Sequence, residues 1–326
     1  MDNEYLFCLD NENALLWNKL IQLYLKNSND TAAMREIGLI FVVLFTIVLS
    51  TIHCRSNNKS ENRCREEDIP HYTAYKITDT ITIEGKLDEM IWQNAPRSNR
   101  FSDLVSGDST WLDTRASVLW DDQNLYVGYW IEEPDVRATL TQRDAPIYED
   151  NDVELFIAGQ DGYYEFEINS YGTIYEVLFF WMDAYEKKGY HQKAEFRRNA
   201  PGAKVFNGVG YKHPRGSRMG FWNWDMPGLR SAVHVEGSIN KDSDRDKGWT
   251  AEIAIPWTSL KIFADADRRA VPPMEGDVWR MDFSRFNVKK RSANDSGGWA
   301  WSSHKVWDSH VPECFTYIEF SAKKNN

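Results

Sequence analysis

Acidic and aromatic side chains dominate the residues in this chain that could do chemistry. Asp144, Glu149, Asp150 and Asp152 crowd into one short stretch. Their oxygens would suit calcium, but the spacing matches no EF-hand loop, and a solvated acidic loop is the simpler reading. Directly after them, Asp152–Ala158 alternates: Val153, Leu155 and Ile157 face one way, Asp152, Glu154 and Phe156 the other. Tyr148 precedes this run in a loop, and Glu154 lies on its polar face. A carboxylate that accepts from two hydroxyls makes a strong, directional contact. The competing reading is a loop aromatic packed on the core and a solvated strand face.

Catalytic signatures are missing. A glycosidase needs two carboxylates at a defined separation across a cleft; the chain offers many acids and no way to choose a pair. It has no Gly-x-Ser-x-Gly elbow, no His-Glu-x-x-His and no phosphate loop. His191, His213, His234, His304 and His310 are scattered. An axial haem pair would have to be Met281 with His234, which the ligation pattern does not favour. The four cysteines, Cys8, Cys54, Cys64 and Cys314, match no zinc or redox spacing. Cys64 and Cys314 could pair in an oxidising compartment.

The 326 residues suit one large domain or two small ones, and 42% hydrophobic residues supply a sizeable core. A net charge of -11 argues against a nucleic-acid partner, which needs a basic face, and suits a neutral ligand. The 14 Trp are well above the roughly four or five of average usage. Trp and Tyr offer a flat apolar face with a polar tip, on which the CH-rich face of a sugar stacks well. Most of them are expected in the core.

Residues 37–52 form an almost unbroken apolar run, shorter than a spanning helix and close to the core of a signal peptide. Residues 1–33 carry five acids and two bases, and Arg55, Lys59, Arg63 and Arg65 follow the run. That asymmetry opposes export, whereas a start at Met34 with Arg35 as its basic flank removes the conflict. The reading is therefore an upstream extension over 1–33, a signal peptide or membrane anchor over 34–54, and a flexible tether over 55–71. A signal-anchor with residues 1–33 as a tail is the alternative. Cys54 closes the run where bacterial lipoproteins are cut and acylated, although His53 stands where a small residue is expected. Localisation would then be exported, at the cell envelope or outer membrane, held by lipid or by the anchor.

From Tyr72 to Ser321 the pattern is short strands between turns. Strands are predicted at 81–83, 115–120, 125–131, 152–158, 163–169, 174–181, 232–239, 249–255, 278–287 and 317–321, with a hairpin turn at 121–124. Gly85 marks a turn, and Leu87, Ile91 and Trp92 are spaced for a short helix. In 163–169, Tyr164, Phe166 and Ile168 oppose Tyr163, Glu165 and Glu167. Such a series indicates an all-β antiparallel sandwich with long loops, preceded by the N-terminal apolar helix. Residues 182–230, rich in Gly, Pro, Lys and Arg with Trp222 and Trp224 embedded, read as one long loop, functional or partly ordered by its own packing. Residues 322–326 are a tail.

The series IEGKLDEMIW, SVLWDDQNLYVGYWIEEPD, YEDNDVELFI, YYEFEINSYGT, GWTAEIAIPWTSL, GDVWRMDFSRF and WAWSS…DSHVPECFTYIEF resembles the family 9 carbohydrate-binding modules, above all the stand-alone family 9-like proteins of bacterial envelopes. It covers about Thr73 to Ser321. The resemblance implies a jelly-roll or immunoglobulin-like sandwich related to DOMON domains, sugar or glycan-end ligands, and frequent structural calcium. It implies that Tyr148 stacks on the sugar, that Glu154 hydrogen-bonds its hydroxyls, and that Trp307 is the second stacking aromatic. Asn169 is retained. Where the family's sugar binders carry an arginine this chain has Glu167, which removes a hydroxyl-binding fork; Arg285 could compensate from another strand. His310 and Glu313 fall in a segment typical of the stand-alone subgroup and read as loop-fixing residues.

The reading is thus an exported, non-catalytic carbohydrate binder with Tyr148, Glu154, Asn169, Arg285 and Trp307 as ligand residues. The alternatives are a hydrolase of O-glycosyl bonds, or an accessory of one, and an envelope structural or interaction protein that has lost its sugar site, the reading Glu167 favours.

Overall fold

The computed structural model describes residues 64–323. The apolar run at 37–52, the start at Met34 and the lipid site at Cys54 lie outside them.

Fourteen strands form among the described residues: β1 (His71–Lys76), β2 (Ser102–Asp103), β3 (Thr114–Trp120), β4 (Asn124–Glu132), β5 (Asp152–Ala158), β6 (Gly162–Asn169), β7 (Ile174–Trp181), β8 (Ala203–Phe206), β9 (Arg218–Phe221), β10 (Arg230–Glu236), β11 (Gly248–Pro256), β12 (Val278–Phe286), β13 (Gly298–Ala300) and β14 (Thr316–Ser321). Three short helices accompany them: α1 (Met90–Asn94), α2 (Met182–Lys187) and α3 (Lys261–Asp267). Hydrogen bonding runs β10-β11-β4-β3-β1-β14-β12-β5-β6-β7-β9-β8, with β13 joining β12 to β2.

The chain is mostly β, as the alternation indicates, and its sheet folds over on itself into two layers. Val127, Tyr129 and Ile253 of one half share a core with Leu155, Phe166 and Phe283 of the other. Across this core the Tyr129 hydroxyl donates to the Glu154 carbonyl at 2.7 Å. The purely antiparallel expectation is corrected at one strand. β1 pairs parallel with both β14 and β3 and lies between them in the sheet.

Three further expectations change. Residues 81–83 alternate but form no strand; Ile81 is buried as part of an irregular segment. That segment is pinned by Glu252, whose carboxylate accepts from the N–H groups of Glu84 and Gly85 and from Trp92 Nε1. Gly85 has φ +84°, and a Cβ there would lie 2.6 Å from the Val233 backbone, so only glycine fits. Within the stretch expected as tether, Cys64 is bonded to Cys314 and buried with Ile69 and Val311, so residues 64–71 pack onto the sandwich. Residues 182–230 are not one loop; they hold α2, β8 and β9, and β9 extends the sheet beside β7.

Candidate functional site

The outer face of β5, β6 and β7 positions the site. In the antiparallel register Asp152 stands opposite Asn169, Glu154 opposite Glu167 and Phe156 opposite Glu165. On β7, Tyr175 faces Glu167 and Phe179 faces Tyr163. Side chains two apart share a face, so the inward set Val153, Leu155, Ile157, Phe166 and Ile168 fills the core. The opposite set gathers carboxylates and aromatic rings on the outside. Loops then cover that face, leaving a cavity of about 410 Å³ walled by Tyr148, Glu154, Glu165, Glu167, Tyr175, Phe206, Trp222, Trp307 and His310, among others.

Tyr148 and Trp307, 159 positions apart in sequence, line this one cavity. Both rings keep free surface, at 53% and 38% exposure. Tyr148 is braced edge-on by Tyr175 at 5.9 Å and Trp307 by Phe286 at 5.2 Å. The Trp307 loop is fastened by its neighbour. Asp308 Oδ2 accepts from the N–H groups of Val209, Gly210 and Tyr211, and Oδ1 from His310 N–H. Although burial alone would raise the Asp308 pKa, these contacts and His310 hold it low. The Trp222 indole donates to the Tyr175 hydroxyl at 2.6 Å.

The floor is acidic: Glu154, Glu165 and Glu167 line the cavity, and Asp152 and Asp282 are buried close to Glu154. Burial, reinforced by Asp282, pushes Glu154 up to about 8. Burial and then Glu154 hold Asp152, Glu165 and Glu167 well above the usual carboxylate range. His304 sits between the Asp308 carbonyl at 2.9 Å and Asp282 at 3.1 Å. Both neighbours are acceptors, so both ring nitrogens must donate. Burial opposes that charge, but Asp282 outweighs it and the pKa is raised. His310 behaves oppositely. Burial pulls it down to about 3, so the imidazole brings no charge to its 3.5 Å contact with Glu165.

Three of the sequence candidates therefore meet here: Tyr148, Glu154 and Trp307. The other two do not line the cavity. Asn169 spends its amide on the Leu140 carbonyl and Asp150, and its oxygen on the N–H groups of Tyr171 and Thr173. Arg285 points the opposite way, because odd-numbered positions of β12 face the core. Its guanidinium is fully buried and bonded to Thr114, the Glu132 carbonyl and Glu133. Neither side chain lines the cavity, and both are taken up by bonds within the protein. The Glu313 carboxylate accepts from His213 Nε2 at 2.9 Å, and its carbonyl accepts from Arg280, which ties the loop down.

Asp144, Glu149, Asp150 and Asp152, read from the sequence as a solvated acidic loop with calcium as the alternative, do not gather into one cluster. Asp150 uses both oxygens on Thr139, Leu140 and Asn169, Asp144 lies 3.6 Å from Arg143, and Asp152 is buried beside Glu154 and Glu167. Met281 is sealed in the core while His234 stands half-exposed on edge strand β10.

Sequence reasoning missed Glu165, Tyr175, Phe206, Trp222 and His310 as cavity residues. The alternation of 163–169 already put Glu165 and Glu167 on one face. A tight turn at 159–161 pairs that face with Glu154, so the acidic floor was readable from the hairpin. Phe206 and Trp222 come from β8 and the segment after β9, which carry no clear strand pattern.

Residues 83–203 match the family model described as carbohydrate family 9 binding domain-like. No curated protein matches the chain. Among solved structures, a candidate carbohydrate-binding protein from Bacteroides uniformis aligns with a TM-score of 0.51 at 15% identity, over 78% of this chain and 100% of that one. A family 9 carbohydrate-binding module from Caldicellulosiruptor kristjanssonii in complex with cellotriose gives 0.44 at 13% identity, over 78% and 96%. Such a module from the same organism in complex with glucose gives 0.44 at 13%, over 78% and 98%. The likeness to the Bacteroides protein is one of fold.

Proposed function

We propose that this chain binds carbohydrate in the cavity between Tyr148 and Trp307 and has no catalytic activity of its own. The observation that carries this reading is the meeting of those two rings. Each is partly free, each is braced from behind, and both look into one cavity with acceptors on its floor. A volume near 410 Å³ lies in the range of small-ligand sites. The rings supply stacking surface; Glu154 and Glu167 supply acceptors for hydroxyls. The family match over residues 83–203 and the sugar ligands named for the Caldicellulosiruptor modules agree in kind.

Binding fits better than hydrolysis. An acid–base pair works when its two environments push the pKa values apart. Here burial moves Asp152, Glu154, Glu165 and Glu167 in the same direction. Export completes the proposal: the apolar run at 37–52 directs the chain out, Cys54 or the run itself holds it at the envelope, and the Cys64–Cys314 bond suits an oxidising compartment.

A glycan array probed with the purified chain tests the binding. Binding to at least one glycan, lost in Tyr148→Ala and in Trp307→Ala with the fold intact, is the expected result. A folded wild-type chain that binds none sinks the reading. Acylation is checked separately, by mass spectrometry of the N-terminal peptide around Cys54.

A further inference from the structure

The carboxylates under the cavity are arranged for something more than hydroxyl recognition. Asp152, Glu154 and Glu167 each offer one oxygen, and the three oxygens lie within 4.8 Å of one another. An ion bonded to oxygen at about 2.4 Å spans ligand pairs up to about 4.8 Å apart. All three side chains are buried.

A second, independent observation concerns their bonding. Asp152 Oδ1 accepts from Phe286 N–H at 3.2 Å and Glu154 accepts from Ser284 Oγ at 3.0 Å. Asp152 Oδ2 and Glu167 Oε2 accept nothing, although both are sealed from solvent. Buried polar atoms without partners are costly and call for an explanation. The nearby buried cations spend their bonds elsewhere: His304 on Asp282 at 3.1 Å, Arg285 on Glu133 at 2.5 Å, Arg218 on the Tyr163 hydroxyl at 2.8 Å; Arg218 Nη1 and Arg285 Nε also lack partners, and neither bonds these oxygens.

From this geometry we propose that Asp152, Glu154 and Glu167 bind one hard divalent cation of the calcium class at the cavity floor. The donors are all oxygen, with no imidazole or thiolate among them, which selects calcium, magnesium or manganese over zinc or copper. Glu154 and Glu167 line the cavity, so an ion can reach them, and its remaining positions face the space where a ligand sits. Sugar hydroxyls complete the shell there. This last clause rests on the carbohydrate reading; the ion site does not. The same arrangement explains why a glutamate is tolerated at 167 beside Glu154: the cation supplies the positive charge that the strand face lacks.

The test titrates the full chain, stripped with a chelator, with calcium, magnesium and manganese chlorides, read by calorimetry and by thermal melting. Saturable binding of one ion per chain and a raised Tm are expected. Asp152→Asn and Glu167→Gln should weaken that binding by about 100-fold or more, because each removes a ligand and a charge. Both variants remove a carboxyl crowded by neighbouring acids, so without the ion their Tm in chelator should equal or exceed that of the wild type, which separates lost binding from lost folding. No saturable binding of any of the three ions by about 10 mM, beyond the range of extracellular calcium modules, overturns the proposal. So does wild-type affinity in the double variant. Glycan binding run with and without chelator separates the two ideas. Loss in chelator supports the bridging ion; unchanged glycan binding overturns the bridge and leaves the carbohydrate reading standing. Ion binding with no glycan bound leaves the ion site and sinks that reading.

Discussion

Glu154 and Glu167 stand directly opposite each other across the β5–β6 pair, on the same buried face. Like charges in that relation oppose strand pairing. Between sheet and covering loops, where water screens them little, the opposition shows as carboxyl pKa values raised above the usual range. A proton, or the cation proposed above, relieves it.

The first prediction concerns stability in chelator. Folded Glu154 is pushed up to about 8 from an ordinary 4.5. Between those values the folded chain binds a proton that the unfolded chain has lost, so this stabilising contribution is full below 4.5 and disappears as pH rises through 8. Folded His310, drawn down to about 3 from 6.5, has the opposite sign and acts only below 6.5. The clean window is thus about 6.5 to 8. There Tm should fall as pH rises, with a slope of up to ~1.4 kcal/mol per pH unit for each proton. His304, raised by Asp282, adds the same sign. Glu154→Gln should flatten the slope by about one proton and raise Tm at pH 8. A wild-type Tm that climbs across this window contradicts the assignment.

The second concerns the rings. Tyr148 and Trp307 keep free surface and pack on only part of their faces, so truncation should spare the fold. Each alanine variant should lose about tenfold or more in ligand affinity, a hot-spot loss for an aromatic anchor, while Tm moves by no more than about 4 °C. A large Tm drop with affinity preserved would make them packing residues.

How far the sequence could be read follows one physical divide. Period-2 alternation is local, so 115–120, 152–158, 163–169 and 174–181 were legible as strands, and with them the face that Glu154 and Glu167 share. β1 was not, because a short strand held in parallel between two others is defined by its neighbours. Tyr148 and Trp307 were findable by resemblance, but their convergence is tertiary. Arg285 misled for a related reason: its face is set by the register of β12 against β5, where it opposes Val153 on the core side, and residue type alone suggests a ligand donor.

The third prediction is the disulfide. Cys64 and Cys314 are 250 positions apart, and their bond closes nearly the whole domain. Cross-linking a loop of that length removes unfolded-chain entropy worth about 3–5 kcal/mol. Urea unfolding with and without reductant should show that loss, and Cys64→Ala with Cys314→Ala should reproduce it. A midpoint indifferent to reductant would mean that the buried cluster of Cys64, Ile69, Val311 and Cys314 holds the start of the domain without the bond.

The fourth prediction separates fold from ligand at Arg285. Its guanidinium is fully buried, donates to Glu133, Thr114 and the Glu132 carbonyl, and lies 4.8 Å from the Trp299 ring centre. Glu133 is itself buried, and Asn287 also donates to it. Removing one partner strands the other charge inside the sandwich, so Arg285→Ala should cost about 3–5 kcal/mol. Arg285→Met paired with Glu133→Leu removes both charges and should recover much of that loss, since apolar replacements of a buried pair are often close to neutral. Denaturant titration of the three proteins measures this. If Arg285 served the ligand, the double variant would fold well and bind poorly. Its place behind β12, away from the cavity, predicts that the double variant folds and keeps wild-type affinity.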